Sequence, residues 1–102
     1  MTYGVVIDVP APVEMYDALH AELMRRVTGP LEGFLCHIGR PTATGFQIIE
    51  LWESKEQSDR YNAELVVPAM RDLFGDQMPL QEPAVEEFEP CGLLLPGAAV
   101  MV

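Results

Sequence analysis

Residues 46–57 read FQIIELWESKEQ, and two structural signals meet inside them. Phe46 to Glu53 is a short run rich in apolar, β-branched and aromatic side chains, which is what a strand packed against a core requires. Ser54 follows at once with Gln57 three residues further on, a Ser-x-x-Gln capping box that places a helix start at Lys55. Working backwards, Gly33 to Arg40 (GFLCHIGR) reads as another strand, and the turn-rich Pro41-Thr42-Ala43-Thr44-Gly45 between the two has the length of a hairpin link. Working forwards, Tyr61, Leu65, Val66, Ala69, Met70, Leu73 and Phe74 supply a helical apolar stripe. Pro68 is expected to kink or divide that helix and Gly75 to end it.

The flanks complete the pattern. Tyr3 to Val9 (YGVVIDV) predicts a first strand closed by Pro10 and Pro12. Val13, Tyr16, Leu19, Leu23 and Val27 form the stripe of a first helix, acidic early and basic late as the helix dipole favours, and Thr28-Gly29-Pro30 stops it. Ala84 to Glu89 (AVEEFE) is the expected fourth strand, where Glu82, Glu86, Glu87 and Glu89 make a solvated edge that discourages wrong pairing. The order β-α-β-β-α-β is an α+β fold of ferredoxin-like type, a four-stranded antiparallel sheet with two helices on one face. A single domain over 1–102 is expected, its core in about 3–89 and an apolar tail over 90–102 that packs on the protein or on a partner subunit. A sheet this apolar should not leave its other face to water, so closure by a second copy into a homodimer is anticipated.

Composition narrows the function classes. Among 102 residues, Lys and Arg number 6 against 16 Asp and Glu, a net charge of -10 that argues against nucleic-acid partners and against an anionic membrane surface. Hydrophobic residues at 49% with 22% charged fit an ordinary globular domain. Met1 to Val9 has no basic stretch leading into a long apolar run and cleavage site, so a cytoplasmic protein is expected. The tail falls short of the ~20 residues of a membrane helix and is broken by Pro96 and Gly97. Cys36 and Cys91 lack a C-x-x-C pattern and read as reduced thiols. His20 and His37 lack the spacing of a zinc site, so no metal is expected; one histidine would suffice as an axial haem ligand, but nothing asks for haem, and no cofactor is called for. No phosphate-binding glycine loop, nucleophile elbow or dinucleotide fingerprint is present.

The strand entry Gly33-Phe34-Leu35, the strand Phe46 to Glu53 and above all Leu51-Trp52-Glu53-Ser54-Lys55-Glu56 resemble the dimeric α/β-barrel superfamily, which includes the antibiotic-biosynthesis monooxygenase-like proteins. The resemblance covers roughly residues 3 to 89 and speaks to fold more than to chemistry. It implies two sheets meeting in a barrel, with a ligand cavity inside the barrel or between each sheet and its helices. It also implies a range of activities: cofactor-free oxygenation, haem degradation, lyase action and muconolactone isomerisation.

Side chains alternate along strands and residues opposed across a hairpin share a face, so the parity of the loop decides the neighbours of His37. An even loop puts Leu35, His37, Gly39, Phe46, Ile48, Glu50 and Trp52 on one face and Phe34, Cys36, Ile38, Ile49 and Leu51 on the other. An odd loop separates the two ionisable groups, leaving Glu50 with Cys36 and His37 with Ile49. The even loop is preferred because it lets His37 and Glu50 meet and leaves a wholly apolar face for the helices. Val5, Ile7 and Val9 are expected to face the helices, and Asp8 to share the open face with His37 and Glu50.

On that reading His37, Glu50 and Asp8 point into an apolar pocket walled by Phe46, Ile48 and Trp52. Histidine suits proton transfer near neutral pH, and a carboxylate beside it sets its tautomer. The expected function is a small-molecule enzyme without metal, acting on a hydrophobic or aromatic metabolite by proton transfer or cofactor-independent oxygenation, with His37 as acid/base and Glu50 as its orienting partner. The alternative is a non-catalytic ligand-binding or protein-interaction module that uses the same cavity or the apolar tail. Plainer readings stand beside each residue: His37 and Glu50 satisfying one another, Trp52 as core, His20 as a partly exposed helix histidine, and Cys36 as a small hydrophobe under the helices.

Overall fold

The computed structural model describes residues 2–75 and 83–93, so Glu82 and the tail from residue 94 onward lie outside the described residues. The elements are β1 (Tyr3–Val9), α1 (Val13–Arg26), β2 (Phe34–Pro41), β3 (Phe46–Trp52), α2 (Lys55–Tyr61), α3 (Val67–Phe74) and β4 (Ala84–Phe88). The strands pair antiparallel in the order β2-β3-β1-β4, the ferredoxin-like arrangement that the element order predicts. No described helix is long and apolar enough to cross a membrane.

Local chemistry explains the breaks. Ser54 is extended and its hydroxyl oxygen accepts the Gln57 backbone N–H at 3.3 Å, so α2 starts at Lys55 as the capping box predicts. The Gln57 side chain does not turn back to the backbone; its Oε1 accepts the Ser54 hydroxyl at 3.1 Å. The second helix is divided rather than kinked, with a π-helical stretch over Asn62–Val66 between α2 and α3. Pro68 stands in the first turn of α3, where its missing N–H costs no hydrogen bond, and the Val67 N–H reaches back five residues to the Asn62 carbonyl.

Register settles the faces. His37 is opposed to Glu50 and Pro41 to Phe46, leaving an even loop. The bulge between Phe34 and Cys36 moves Phe34 opposite Trp52, so Phe34 joins the face of Trp52 and their rings meet edge-on at 5.2 Å. Because Val5, Ile7 and Val9 are opposed to Glu50, Ile48 and Phe46, all of these share one face. The helices lie on that face: Tyr16 of α1 packs against Phe46 with ring centroids 5.5 Å apart, and Tyr61 of α2 against Trp52 at 5.1 Å.

Two expectations are thereby corrected. The helices cover the face of His37 and Glu50, and the face they leave open is the one carrying Cys36, Ile38, Ile49 and Leu51, so Cys36 does not lie under the helices. The reason is area. Phe46 and Trp52 offer the largest apolar surfaces on the sheet and end 3% and 1% exposed, which outweighs enclosing two ionisable groups that satisfy each other. Asp8 alternates with Ile7 and Val9 and is opposed to Gln47, so it stands on the open face, away from His37 and Glu50.

Candidate functional site

Strands β2 and β3 set His37 and Glu50 side by side, and a chain of hydrogen bonds runs through them. Glu50 is 7% exposed; its Oε1 accepts the Trp52 indole N–H at 3.1 Å and its Oε2 lies 2.7 Å from His37 Nδ1. A carboxylate only accepts, so Nδ1 carries a proton and, in the neutral ring, Nε2 presents a lone pair. Tyr16 Oη lies 2.7 Å from that Nε2, and its hydroxyl donates to it. Burial first, and then the Glu50 charge and Asp17, push the Tyr16 hydroxyl above its ordinary range, which keeps it a neutral donor. Burial likewise raises Tyr61, with Glu50 and Tyr16 adding to it.

The approach of α1 to the sheet depends on one glycine. A Cβ at Gly39 would fall 2.3 Å from Tyr16 Cζ and Oη, so any larger residue there displaces the ring that bonds His37. One turn along α1 from Tyr16, His20 stacks on Tyr16 at 5.5 Å and on His37 at 5.8 Å between ring centroids. Its Nδ1 is 3.5 Å from Tyr16 Oη, too long for a strong bond.

This chain of groups borders a cavity of about 450 Å³ between the sheet and the helices. Phe46, Ile48, His37 and Glu50 line it from the sheet, Tyr16 and His20 from α1, and Tyr61 and Asn62 from the point where α2 widens into the π-helical stretch. A second, more open hollow of about 430 Å³ reaches the chain after α1 at Val27, Pro30 and Leu31 and shares His20, Leu23, His37 and Tyr61 with the first. No Lys or Arg is among the described residues lining either space, so neither offers a counter-ion to an anionic ligand. Among the described residues no three His, Cys, Asp or Glu side chains are grouped to hold a metal ion, and no buried side-chain nitrogen or oxygen is left without a partner.

Of the residues singled out from the sequence, His37, Glu50, Phe46 and Ile48 come together at the larger cavity. Trp52 stands behind Glu50, holding it rather than lining the space. Asp8 is exposed on the opposite face, where Gln47 Nε2 donates to its Oδ1 at 3.0 Å and Arg40 Nε donates to Gln47 Oε1 at 2.8 Å. Tyr16 and Tyr61, read from the sequence as helix-stripe residues, His20, read as a partly exposed helix histidine, and Asn62 also border the cavity. The available signal was the i,i+4 spacing of Tyr16 and His20, which turns two polar rings inward on the apolar stripe of α1.

Neither a protein-family model nor a curated protein matches the sequence. Solved structures do match in fold. A protein from Chloroflexus aurantiacus J-10-fl, assigned by name to the antibiotic biosynthesis monooxygenases, superposes with a TM-score of 0.62 at 22% identity over 95% of this chain and 100% of its own. A Nitrosomonas europaea protein of unknown function superposes at 0.68 with 12% identity over 95% and 96% of the two chains. A variant of MhuD holding two manganese protoporphyrin IX molecules per active site superposes at 0.59 with 21% identity over 95% and 100%. The sheet order and these superpositions show that the chain shares the ferredoxin-like α+β fold of these structures.

Proposed function

We propose that this protein binds an uncharged, hydrophobic or aromatic metabolite in the cavity between sheet and helices and moves a proton to or from it, with His37 as the proton acceptor and Glu50 holding its tautomer. The observation that carries this reading is the pairing of buried Glu50 with half-buried His37, 2.7 Å apart, bordering a cavity whose described lining contains no Lys or Arg. Protonating His37 places a positive ring beside an enclosed carboxylate, so the charge created by proton transfer is compensated where it forms. A ligand anion made in that way is the starting point for isomerisation, cyclisation or direct reaction with oxygen. The fold neighbours named as monooxygenases support a small-molecule role of this kind.

The porphyrins held by MhuD are a poor fit here, because no Lys or Arg is among the described residues lining the cavity to meet the propionates. Self-association is proposed through the open face, where Ile38 is 49% exposed beside Ile49, Leu51 and Val6.

The test uses para-nitrophenol, whose phenolate absorbs visible light while the neutral form does not, at a pH where most of the free probe is neutral. Bound to the wild-type protein it should ionise, and His37→Gln and Glu50→Gln should each remove that absorbance. A probe that binds without ionising, or that ionises equally well in His37→Gln, removes His37 from the chemistry and leaves a binding module.

A further inference from the structure

Resting on the proton-transfer reading above, we propose that Tyr16 is the residue that meets the ligand, and that the site takes ligands bearing an acidic hydroxyl, a phenol or an enol, whose proton reaches His37 through the Tyr16 oxygen. The argument is one of occupied positions. His37 Nδ1 is committed to Glu50 and Nε2 to Tyr16, each at 2.7 Å, so the imidazole has no free nitrogen to offer a ligand. Tyr16 has spent its proton on Nε2, but its oxygen keeps accepting capacity on the rim of the larger cavity. Its other hydrogen-bonding contact is His20 Nδ1 at 3.5 Å, a loose one that a ligand hydroxyl can enter.

The transfer balances without a co-reactant. The ligand O–H bond breaks and its proton bonds to Tyr16 Oη; the former Tyr16 proton passes to His37 Nε2. The products are a ligand oxyanion, a neutral Tyr16 and an imidazolium held against the Glu50 carboxylate. A phenol is too weak a base to take a proton from carbon unaided, whereas a hydroxyl can hydrogen-bond to Tyr16 and exchange protons along the chain, and this is what selects O–H acids. The titratable groups around Tyr16 are His37 and Glu50 on the sheet, Asp17 and His20 on its own helix and Tyr61 on α2. Its raised ionisation accords with the order of the transfer, because Tyr16 relays a proton without resting as a phenolate.

Tyr16→Phe in the para-nitrophenol assay tests this, with para-nitroanisole, which has no proton to give, as the measure of an intact cavity. The expected result is a bound phenolate fraction lowered about tenfold, one pKa unit of the bound probe, with para-nitroanisole affinity unchanged. Phenolate at the wild-type level in Tyr16→Phe, with normal anisole binding, overturns the role of Tyr16 while the reading of His37 as proton acceptor stands. Where Tyr16→Phe disturbs anisole binding, Gly39→Ala takes its place, since it keeps the hydroxyl but sets a methyl group against the ring. Loss of phenolate with retained anisole binding then supports the relay, and retained phenolate overturns it. Failure of the wild-type protein to ionise the probe brings down the proton-transfer reading and this inference with it.

Discussion

The two faces of the sheet carry similar side chains and treat them differently. On the covered face, Glu50 and His37 are enclosed and bonded to each other, with Trp52 and Tyr16 completing their hydrogen bonds. On the open face, Asp8 and Arg40 are exposed and joined only through Gln47. Ionisable groups enter this core as a satisfied chain, and single charges stay where water reaches them. The difference is sharpest between sequence neighbours. Trp52→Ala should cost about 3–5 kcal/mol in urea denaturation, because it removes the most enclosed large side chain and the donor to Glu50 Oε1. Leu51→Ala, one residue away on the open face, should cost about 1 kcal/mol in dilute protein. Equal losses for the two variants would erase the distinction between the faces.

The covered face can be tested for what its buried pair is for. Glu50→Leu strands the His37 ring and should destabilise by about 3 kcal/mol. Adding His37→Leu should recover part of that loss, because no enclosed group is then left facing a missing charge; the Trp52 N–H and the Tyr16 hydroxyl, still without their partners, limit the recovery. The double variant should remain inactive on para-nitrophenol. A double variant no more stable than Glu50→Leu would mean that the pair serves the fold and not the chemistry.

Much of this arrangement was legible in the sequence, and the failures have physical causes. The element order, the helix start at Lys55 and the meeting of His37 with Glu50 follow from local signals: strand composition, a capping serine and the length of a turn. The choice of covered face was not local. Weighing the two ionisable groups points to the wrong face for the helices, and for Asp8 with it, because the areas of Phe46 and Trp52 decide. The Val5, Ile7 and Val9 stripe held the correction, since in this register it is opposed to Phe46, Ile48 and Glu50. Tyr16 was hidden for another reason: on a helix stripe an aromatic ring reads as core, and its bond to His37 depends on the close approach allowed by Gly39.

The open face offers the converse test. Ile38→Lys should change the stability of the dilute protein by about 0.5 kcal/mol or less, since the residue is already 49% exposed. Its effect should appear in mass instead. If a second copy covers this face, sedimentation should show the wild-type protein as a dimer and Ile38→Lys as a monomer, and the wild-type melting temperature should rise with concentration while the variant's does not. A wild-type protein that sediments as a monomer at every concentration removes the partner from this face.

The smallest effect at neutral pH tests the enclosure of the covered face through its tyrosines, since Tyr3, opposed to Trp52, lies on that face with Tyr16 and Tyr61. Burial, followed by the hydrogen bond to Glu87, pushes the Tyr3 hydroxyl up to about 12, and burial raises Tyr16 and Tyr61 as well. In each case the folded protein favours the neutral phenol over the unfolded chain, where a tyrosine ionises near 10.0. These groups therefore contribute stability that is fully present below that value and is lost as the pH climbs through the folded values. Native protein titrated with alkali should develop little tyrosinate absorbance around pH 10. Tyr3 stands on the central strand β1 with its hydroxyl on Glu87, and Tyr61, whose ionisation burial raises furthest, should ionise only with the loss of far-ultraviolet circular dichroism. Tyrosinate that forms fully near pH 10 while the helical signal stays native would mean that water reaches Tyr16 and Tyr61 freely, and that the chain of groups from Tyr16 to Glu50 is not enclosed.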